Sequence, residues 1–287
     1  MRKSRFTRNK QVVRDIQCEL IGKRFKTRVG TLRYFGLSSD EMEDVELWDP
    51  LFKEFVTVER GDKSSPWRAQ HDLIVRAFQI GVLPKTTLLR GDIDRIVLNG
   101  RDDDNNVLVY PFDVVSLDYS GGLLYDEDGE KTRLSAIKKL VEDQAKHRIE
   151  YLLFISCNLD NPNDGELQRS IETIKTEYTR LGYSSTEVFE KYLRSPFEEA
   201  RLKLYVPHFV NQIAANCRYS CESEKVVFYL GNKQTRMMNF RFYLRFDSHT
   251  FSPRFPRERF RQTINSPMIE VKNGIQKNVT LGLPKLQ

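Results

Sequence analysis

The chain has 287 residues, 39% hydrophobic and 30% charged, with 18 Phe and 12 Tyr. That much apolar material can offset the chain entropy of folding, which excludes a wholly disordered chain and points to one large domain, alone or with extensions. No window approaches the roughly 18 consecutive apolar residues that a membrane-spanning helix needs, and no apolar run follows the charges of MRKSRFTRNK, so neither membrane insertion nor secretion is expected.

Charge is unevenly placed. Residues 1–30 carry a net charge of +8 and residues 251–287 a net of +5, which leaves −7 on the body between them. An acidic body with two basic ends suits an anionic partner reached by the ends, or else two solvated tails. Cys18, Cys157, Cys217 and Cys221 are too few to staple a chain of this size. An intracellular, cytoplasmic, reduced protein is therefore expected. With His71, His147, His208 and His249 scattered along the chain, no metal-ligand set completes itself, and no metal is expected.

From residue 31 short apolar runs alternate with amphipathic stretches, the pattern of βαβ units. Thr31 to Leu37 reads as a first strand, and Ser38, Ser39 and Asp40 supply cap chemistry for a helix in EMEDVELWDPLFK. Glu54 to Glu59 is a second strand. Ser65 and Pro66 open a helix through WRAQHDLIVRAFQIGV. Thr86 to Leu89 is a third strand, and Phe112 to Leu117 a fourth, followed by Asp118, Tyr119, Ser120, Gly121 and Gly122. A helix spans about Thr132 to His147. Tyr151 to Ser156 is a fifth strand, apolar enough to be covered on both faces. Helices over about Gly165 to Leu181 and Thr186 to Asn216 precede an antiparallel pair, Lys225 to Gly231 and Met238 to Phe246. Trp48 and Trp67 fall at helical positions and read as packing residues. The fold class is thus α/β, an open, doubly wound, mostly parallel sheet with an antiparallel C-terminal hairpin and helices on both faces.

In such a sheet ligands bind outside the carboxyl ends of the strands. The polar residues there are Gly36, Ser38 and Asp40, then Glu59, then Gly91, Asp92 and Ile93, then Asp118 to Gly121, then Cys157, Asn158 and Asp160. A carboxylate after the second strand can accept from ribose hydroxyls, and one after the third from an adenine amino group. Glu59 also reads as an ordinary strand end, Gly91 and Asp92 as ordinary turn residues, and Tyr119 either as core or as a ring stacked on a substrate base.

From about residue 27 to residue 250 this order resembles the class I, S-adenosylmethionine-dependent methyltransferases. Glu59 in TVERG, Gly91, Asp92 and Ile93, and FDVVSLDYSGG correspond to that family's second, third and fourth strand ends. The resemblance implies S-adenosylmethionine as cofactor, with Gly36 and Ser38 in the first loop, Glu59 on the ribose, Asp92 on the adenine amino group and Ile93 on the adenine face. Asp118 would serve both cofactor and acceptor, with Tyr119 beside it in catalysis. The first loop, YFGLSSDE, has one glycine where the family has two or three, and LDYSGG lacks the proline of amino methyltransferases.

The domain reading is a basic extension over 1–26, a methyltransferase-like α/β domain over 27–250, and a basic, aromatic arm over 251–287. In FSPRFPRERFRQ, Arg254, Arg257, Arg259 and Arg261 alternate with Phe251, Phe255 and Phe260, a combination suited to phosphates and unpaired bases of DNA or RNA. The same arm also fits wrapping on the body. The leading functional reading is a methyltransferase with nucleic acid as candidate acceptor. Its rivals are a non-catalytic scaffold or nucleic-acid-binding subunit of the same fold and a nicotinamide-dependent oxidoreductase, disfavoured by the missing G-x-G-x-x-G.

Overall fold

The computed structural model describes residues 8–37, 41–59, 66–119, 121–124, 132–159, 164–180, 190, 198–231, 234–247 and 265–279. Ten strands form one sheet: β1 (Leu32–Leu37), β2 (Phe52–Glu59), β3 (Thr86–Arg90), β4 (Val114–Asp118), β5 (Tyr151–Asn158), β6 (Tyr219–Ser223), β7 (Val227–Leu230), β8 (Arg236–Phe246), β9 (Met268–Lys272) and β10 (Ile275–Val279). The described helices are α1 (Arg8–Arg24), α2 (Glu43–Trp48), α3 (Pro66–Gln79), α4 (Ile93–Asn99), α5 (Thr132–Ala145), α6 (Asp164–Arg180) and α7 (Glu198–Asn216).

The strand order is β10-β9-β7-β8-β5-β4-β1-β2-β3, with β6 also pairing with β8. Strands β1 to β5 run parallel, and β8 runs antiparallel to β5. Strand β1 pairs with β2 on one side and with β4 on the other. The chain therefore winds outward in both directions from β1 and β4, and the crevice at their carboxyl ends is the topological switch point where such sheets bind ligands.

Alternation along each strand divides the core. Val114, Leu152 and Phe154 face one side and pack with Leu20, Ile21 and Phe25 at the end of α1, with Val45 and Trp48 of α2 and with Leu73 and Ala77 of α3. Val115, Leu117, Leu153 and Ile155 face the other side and pack with residues of α4, α5, α6 and α7. Helices thus cover both faces of a mostly parallel sheet, as expected, and Trp48 is a packing residue at 1% exposure.

The differences from the sequence reading have local causes. Strand β4 starts at Val114, two residues late, because the main-chain N–H and carbonyl of Phe112 are bonded instead to the buried Gln144 side chain. Helix α4 lies in a stretch read only as a strand end and a turn. Asp92 caps it, its Oδ1 accepting from the N–H groups of Asp94 and Arg95, and Gly100 closes it at φ 71°. Strands β9 and β10 form a hairpin in what was read as an arm, and Asn273 and Gly274 turn it at φ 52° and 77°. Residues 8–24, within the stretch read as an extension, form a helix packed on the sheet through Val13, Leu20 and Ile21.

Candidate active site

At the switch point the face of the sheet toward α1 is polar. Ser116 and Asp118 lie on β4 and Ser156 on β5, and the β4–β5 register sets Asp118 beside Ser156. Helix α1 crosses above them. Its Lys10 Nζ lies 2.7 Å from Asp118 Oδ2. One turn on, Arg14 Nη2 lies 2.9 Å from Glu43 Oε2 of α2. The start of α1 is pinned by Asn9, whose side chain donates to Leu230 O at 3.0 Å and accepts from Gly274 N at 2.9 Å. From below, Tyr34 Oη donates to Asp44 Oδ2 at 3.2 Å, and Asn239 Nδ2 donates to Ser156 Oγ at 3.0 Å.

Between α1 and the sheet lies a partly open cavity of about 30 Å³, lined by Lys10, Arg14, Asp44, Ser116, Asp118 and Tyr229 among others. That is room for about two water molecules. Asp44 is only 9% exposed, and its Oδ1 is buried without a hydrogen-bond partner, an arrangement that usually marks a water or ligand position. Burial raises the Asp44 carboxyl above its ordinary value despite nearby Arg14 and Lys10. Burial acts the same way on Asp118, but there the attraction and hydrogen bond of Lys10, with Arg14 and Ser156, prevail and hold it low. Asp118 in turn raises Lys10. The site therefore holds one firmly ionised carboxylate and one reluctant one, facing two cations.

Of the residues singled out in the sequence, Asp118 lines this cavity, and Gly36 lies on the neighbouring strand. Gly36 pairs with Ser116 across β1 and β4. A Cβ on Gly36 would lie 2.5 Å from Tyr34 Oη and closer still to the Ser116 carbonyl oxygen. The glycine thus makes room for the protein's own tyrosine.

Glu59, Gly91 and Asp92 gather at the ends of β2 and β3. Glu59 is half-buried at the last position of β2, and its carbonyl accepts from Gly91 N at 3.1 Å. Gly91 has φ 136°, and a Cβ there would meet the Asp103 carboxyl at 3.0 Å. The Asp92 side chain caps α4, and Ile93 is 4% exposed within the core.

Tyr119 is 3% exposed and points to the opposite face from Asp118. Its hydroxyl donates to Asp94 Oδ1 at 2.8 Å, and the Arg133 guanidinium sits 4.7 Å from its ring centre. Arg133 also donates to Gly122 O and lies 3.1 Å from where a Gly121 Cβ would be. The two glycines after Tyr119 thus accommodate an arginine from α5, and a ring stacked on a substrate base does not fit this placement of Tyr119. Ser38, Asp40, Ser120 and Asp160, the Trp67 side chain, and Arg254, Arg257, Arg259 and Arg261 lie outside the described residues.

Lys10, Arg14 and Asp44 were not singled out from the sequence. The spacing of Lys10 and Arg14, one helical turn, was the available signal that both face the same way. Among the described residues no group of three or more His, Cys, Asp or Glu is placed to hold a metal ion, and no helix is long and apolar enough to cross a membrane.

The order β3-β2-β1-β4-β5-β8-β7, with β8 antiparallel to β5, is that of an open, doubly wound, Rossmann-like α/β sheet. No protein-family model matches the sequence, and no curated protein does. Among solved structures it is similar to the O-methyltransferase TomG from Streptomyces achromogenes, in complex with SAM. The two share 12% identity and a TM-score of 0.45 over 86% of this chain and 92% of the other. It is similar also to an O-methyltransferase from Bacillus cereus in complex with SAH, with 11% identity and a TM-score of 0.43 over 82% and 90% of the two chains. An rRNA methylase from Streptococcus thermophilus shares 9% identity and a TM-score of 0.40 over 80% and 95%.

Proposed function

We propose that the chain is an S-adenosylmethionine-dependent methyltransferase whose acceptor is a nucleic acid. The observation that carries the cofactor is the cavity at the switch point, where Asp118 and Asp44 face Lys10 and Arg14. A zwitterionic amino-acid head, one ammonium and one carboxylate, is complementary to that set, and the orphaned Asp44 Oδ1 is an acceptor for such an ammonium. Glu59 and Asp92, two and three strands from β4 at the ends of β2 and β3, stand where the ribose and adenine of the same molecule would lie, with Gly91 allowing close approach and Ile93 supporting the adenine side from the core. Gly36, on β1, stands between the two ends, and Ser38 follows it by two residues in the sequence.

Bound S-adenosylmethionine supplies an electrophilic methyl group. The protein's part is to hold the acceptor in line with it, and positioning of this kind lowers a barrier by several kcal/mol, up to roughly 10. Asp118 fixes the cofactor end, and Tyr119, through Asp94 and Arg133, fixes the loop that follows β4. A nucleic-acid acceptor is supported by the arginines and phenylalanines of FSPRFPRERFRQ.

Calorimetric titration with S-adenosylmethionine and S-adenosylhomocysteine, beside NAD and ATP, tests the cofactor. Micromolar binding of the first pair is expected, weakened at least tenfold in Glu59→Ala and in Asp92→Ser, which keeps a helix-capping oxygen but loses reach. Preference for NAD removes the reading in favour of the oxidoreductase, preference for ATP removes it outright, and binding of none of the four leaves the scaffold alternative.

A further inference from the structure

We infer that Lys10 and the ammonium of the cofactor's amino-acid end compete for Asp118, and that the amino-acid end enters by displacing Lys10. The inference rests on the cofactor reading above and assigns Arg14 to the incoming carboxylate.

Charge favours the exchange. Lys10 Nζ sits 2.7 Å from Asp118 Oδ2, with 33% and 26% of the two side chains exposed, so the pair is reachable from solvent. The cavity beside it has a volume of about 30 Å³ and is partly open to solvent. A second cation cannot approach Asp118 while Lys10 is there without like-charge repulsion. If Lys10 leaves and an ammonium takes its place, Asp118 keeps one positive neighbour, and the orphaned Asp44 Oδ1 gains a donor. Lys10 then turns to solvent, and the resident Arg14 faces the carboxylate that arrives with the ammonium.

The exchange needs only the Lys10 side chain to move. Helix α1 is held along its length: Leu20, Ile21 and the following Phe25 pack with Trp48, Phe154 and Tyr243, Val12, Val13 and Ile16 pack with Val227, Tyr229, Met237 and Val271, and Asn9 bonds Leu230 and Gly274. Lys10 carries its ammonium on a flexible four-carbon stem and its side chain is 33% exposed, so it can turn to solvent while the helix stays docked.

The test is calorimetric, with S-adenosylhomocysteine and with 5′-methylthioadenosine, which has the adenosine and the sulfur but no amino-acid end. Titrations use the full chain as wild type, Lys10→Met, Lys10→Gln and Arg14→Gln, each verified as folded by its thermal transition. Removing the competing ammonium is expected to tighten S-adenosylhomocysteine by about fivefold or more in either Lys10 variant, while methylthioadenosine changes less than about twofold. Arg14→Gln is expected to weaken S-adenosylhomocysteine by about tenfold and to spare methylthioadenosine. Unchanged or weaker S-adenosylhomocysteine binding in the folded Lys10 variants overturns the exchange. So does equal wild-type affinity for the two ligands, although both being lost in Glu59→Ala would leave the cofactor reading standing. Binding of neither ligand to wild type removes the cofactor reading, and the exchange with it.

Discussion

Tyr119 Oη donates a 2.8 Å hydrogen bond to Asp94 Oδ1, joining the loop after β4 to the first turn of α4. Both residues are buried, and the bond ties the two strand ends at which the methyl-acceptor and adenine sides of the site are proposed to lie. Burial raises the Tyr119 hydroxyl well above its ordinary value, and the Asp94 charge adds to this, so Tyr119 is a donor throughout the physiological range.

Tyr119→Phe is therefore expected to lower stability by about 1–2 kcal/mol, because it removes a donor from a buried carboxylate. Urea denaturation measures this. Arg133 Nε lies 3.7 Å from Asp94 Oδ2 and its guanidinium covers the Tyr119 ring, so a double-mutant cycle with Arg133→Met is expected to show a coupling of about 0.5 kcal/mol or more. Strictly additive losses would mean that the three residues do not act as a unit.

Gly36→Ala tests why the first loop has a single glycine. The new Cβ would meet the Tyr34 side chain and the Ser116 main chain, and a main-chain neighbour cannot rotate away. Overpacking of this kind is expected to cost about 2–3 kcal/mol or to prevent folding. Pairing it with Tyr34→Ala removes one clash and keeps the other, so only partial recovery is expected. A stable Gly36→Ala protein would show that Tyr34 and β4 yield more easily than their packing indicates.

His208 makes folding sensitive to acid. It lies on α7, 6% exposed, and burial pushes its pKa down to about 4, although Glu177 Oε2 is 3.4 Å away. Between that value and the ordinary pKa of about 6.5, the unfolded chain binds a proton that the folded one does not. The contribution of His208 is thus fully present above pH 6.5 and is lost as pH falls toward 4, on the order of 3 kcal/mol in all. Melting temperatures between pH 7 and pH 4.5 are expected to fall less steeply in His208→Gln than in wild type. Parallel curves would place the acid sensitivity elsewhere.

How much could be read beforehand follows from which signals are local. Strands β1, β2, β3 and β5 were legible as apolar runs ended by glycine or polar residues, and Asp118 stood out because a carboxylate directly after FDVVSL must sit at a sheet edge. Helix α4 had its signature in plain form, Asp92 before it and Gly100 after it, but at seven residues it was absorbed into its neighbours. Asn273 and Gly274 likewise announce the β9–β10 hairpin, and the basic character of the surrounding stretch obscured it. The pairing of Lys10 with Asp118 was not legible. It joins residues far apart in sequence, and only the path of α1 over the sheet brings them together. The sequence left Tyr119 open between core and a stacked ring, and the structure places it in the core: alternation from Asp118 sets its face, and a one-residue step turns a side chain from the ligand side to the core.

The basic segment supplies the last prediction. Arg257, Arg259 and Arg261 stand within a run that also holds Phe255 and Phe260, and arginines on phosphates release counterions when nucleic acid binds. Replacing all three by Glu is expected to weaken binding to single-stranded RNA or DNA by at least tenfold at low salt. It should also flatten the slope of log affinity against log salt by about 2, since each lost phosphate contact on a single strand removes roughly 0.7 from it. The affinity for S-adenosylhomocysteine should stay unchanged, because the cofactor residues are drawn from α1, α2 and the strand ends. Filter binding at several salt concentrations, with DNA and RNA of one sequence, reads both quantities. An unaltered slope would mean that the three arginines are directed at the acidic body, and the search for the acceptor would then move to proteins and small molecules.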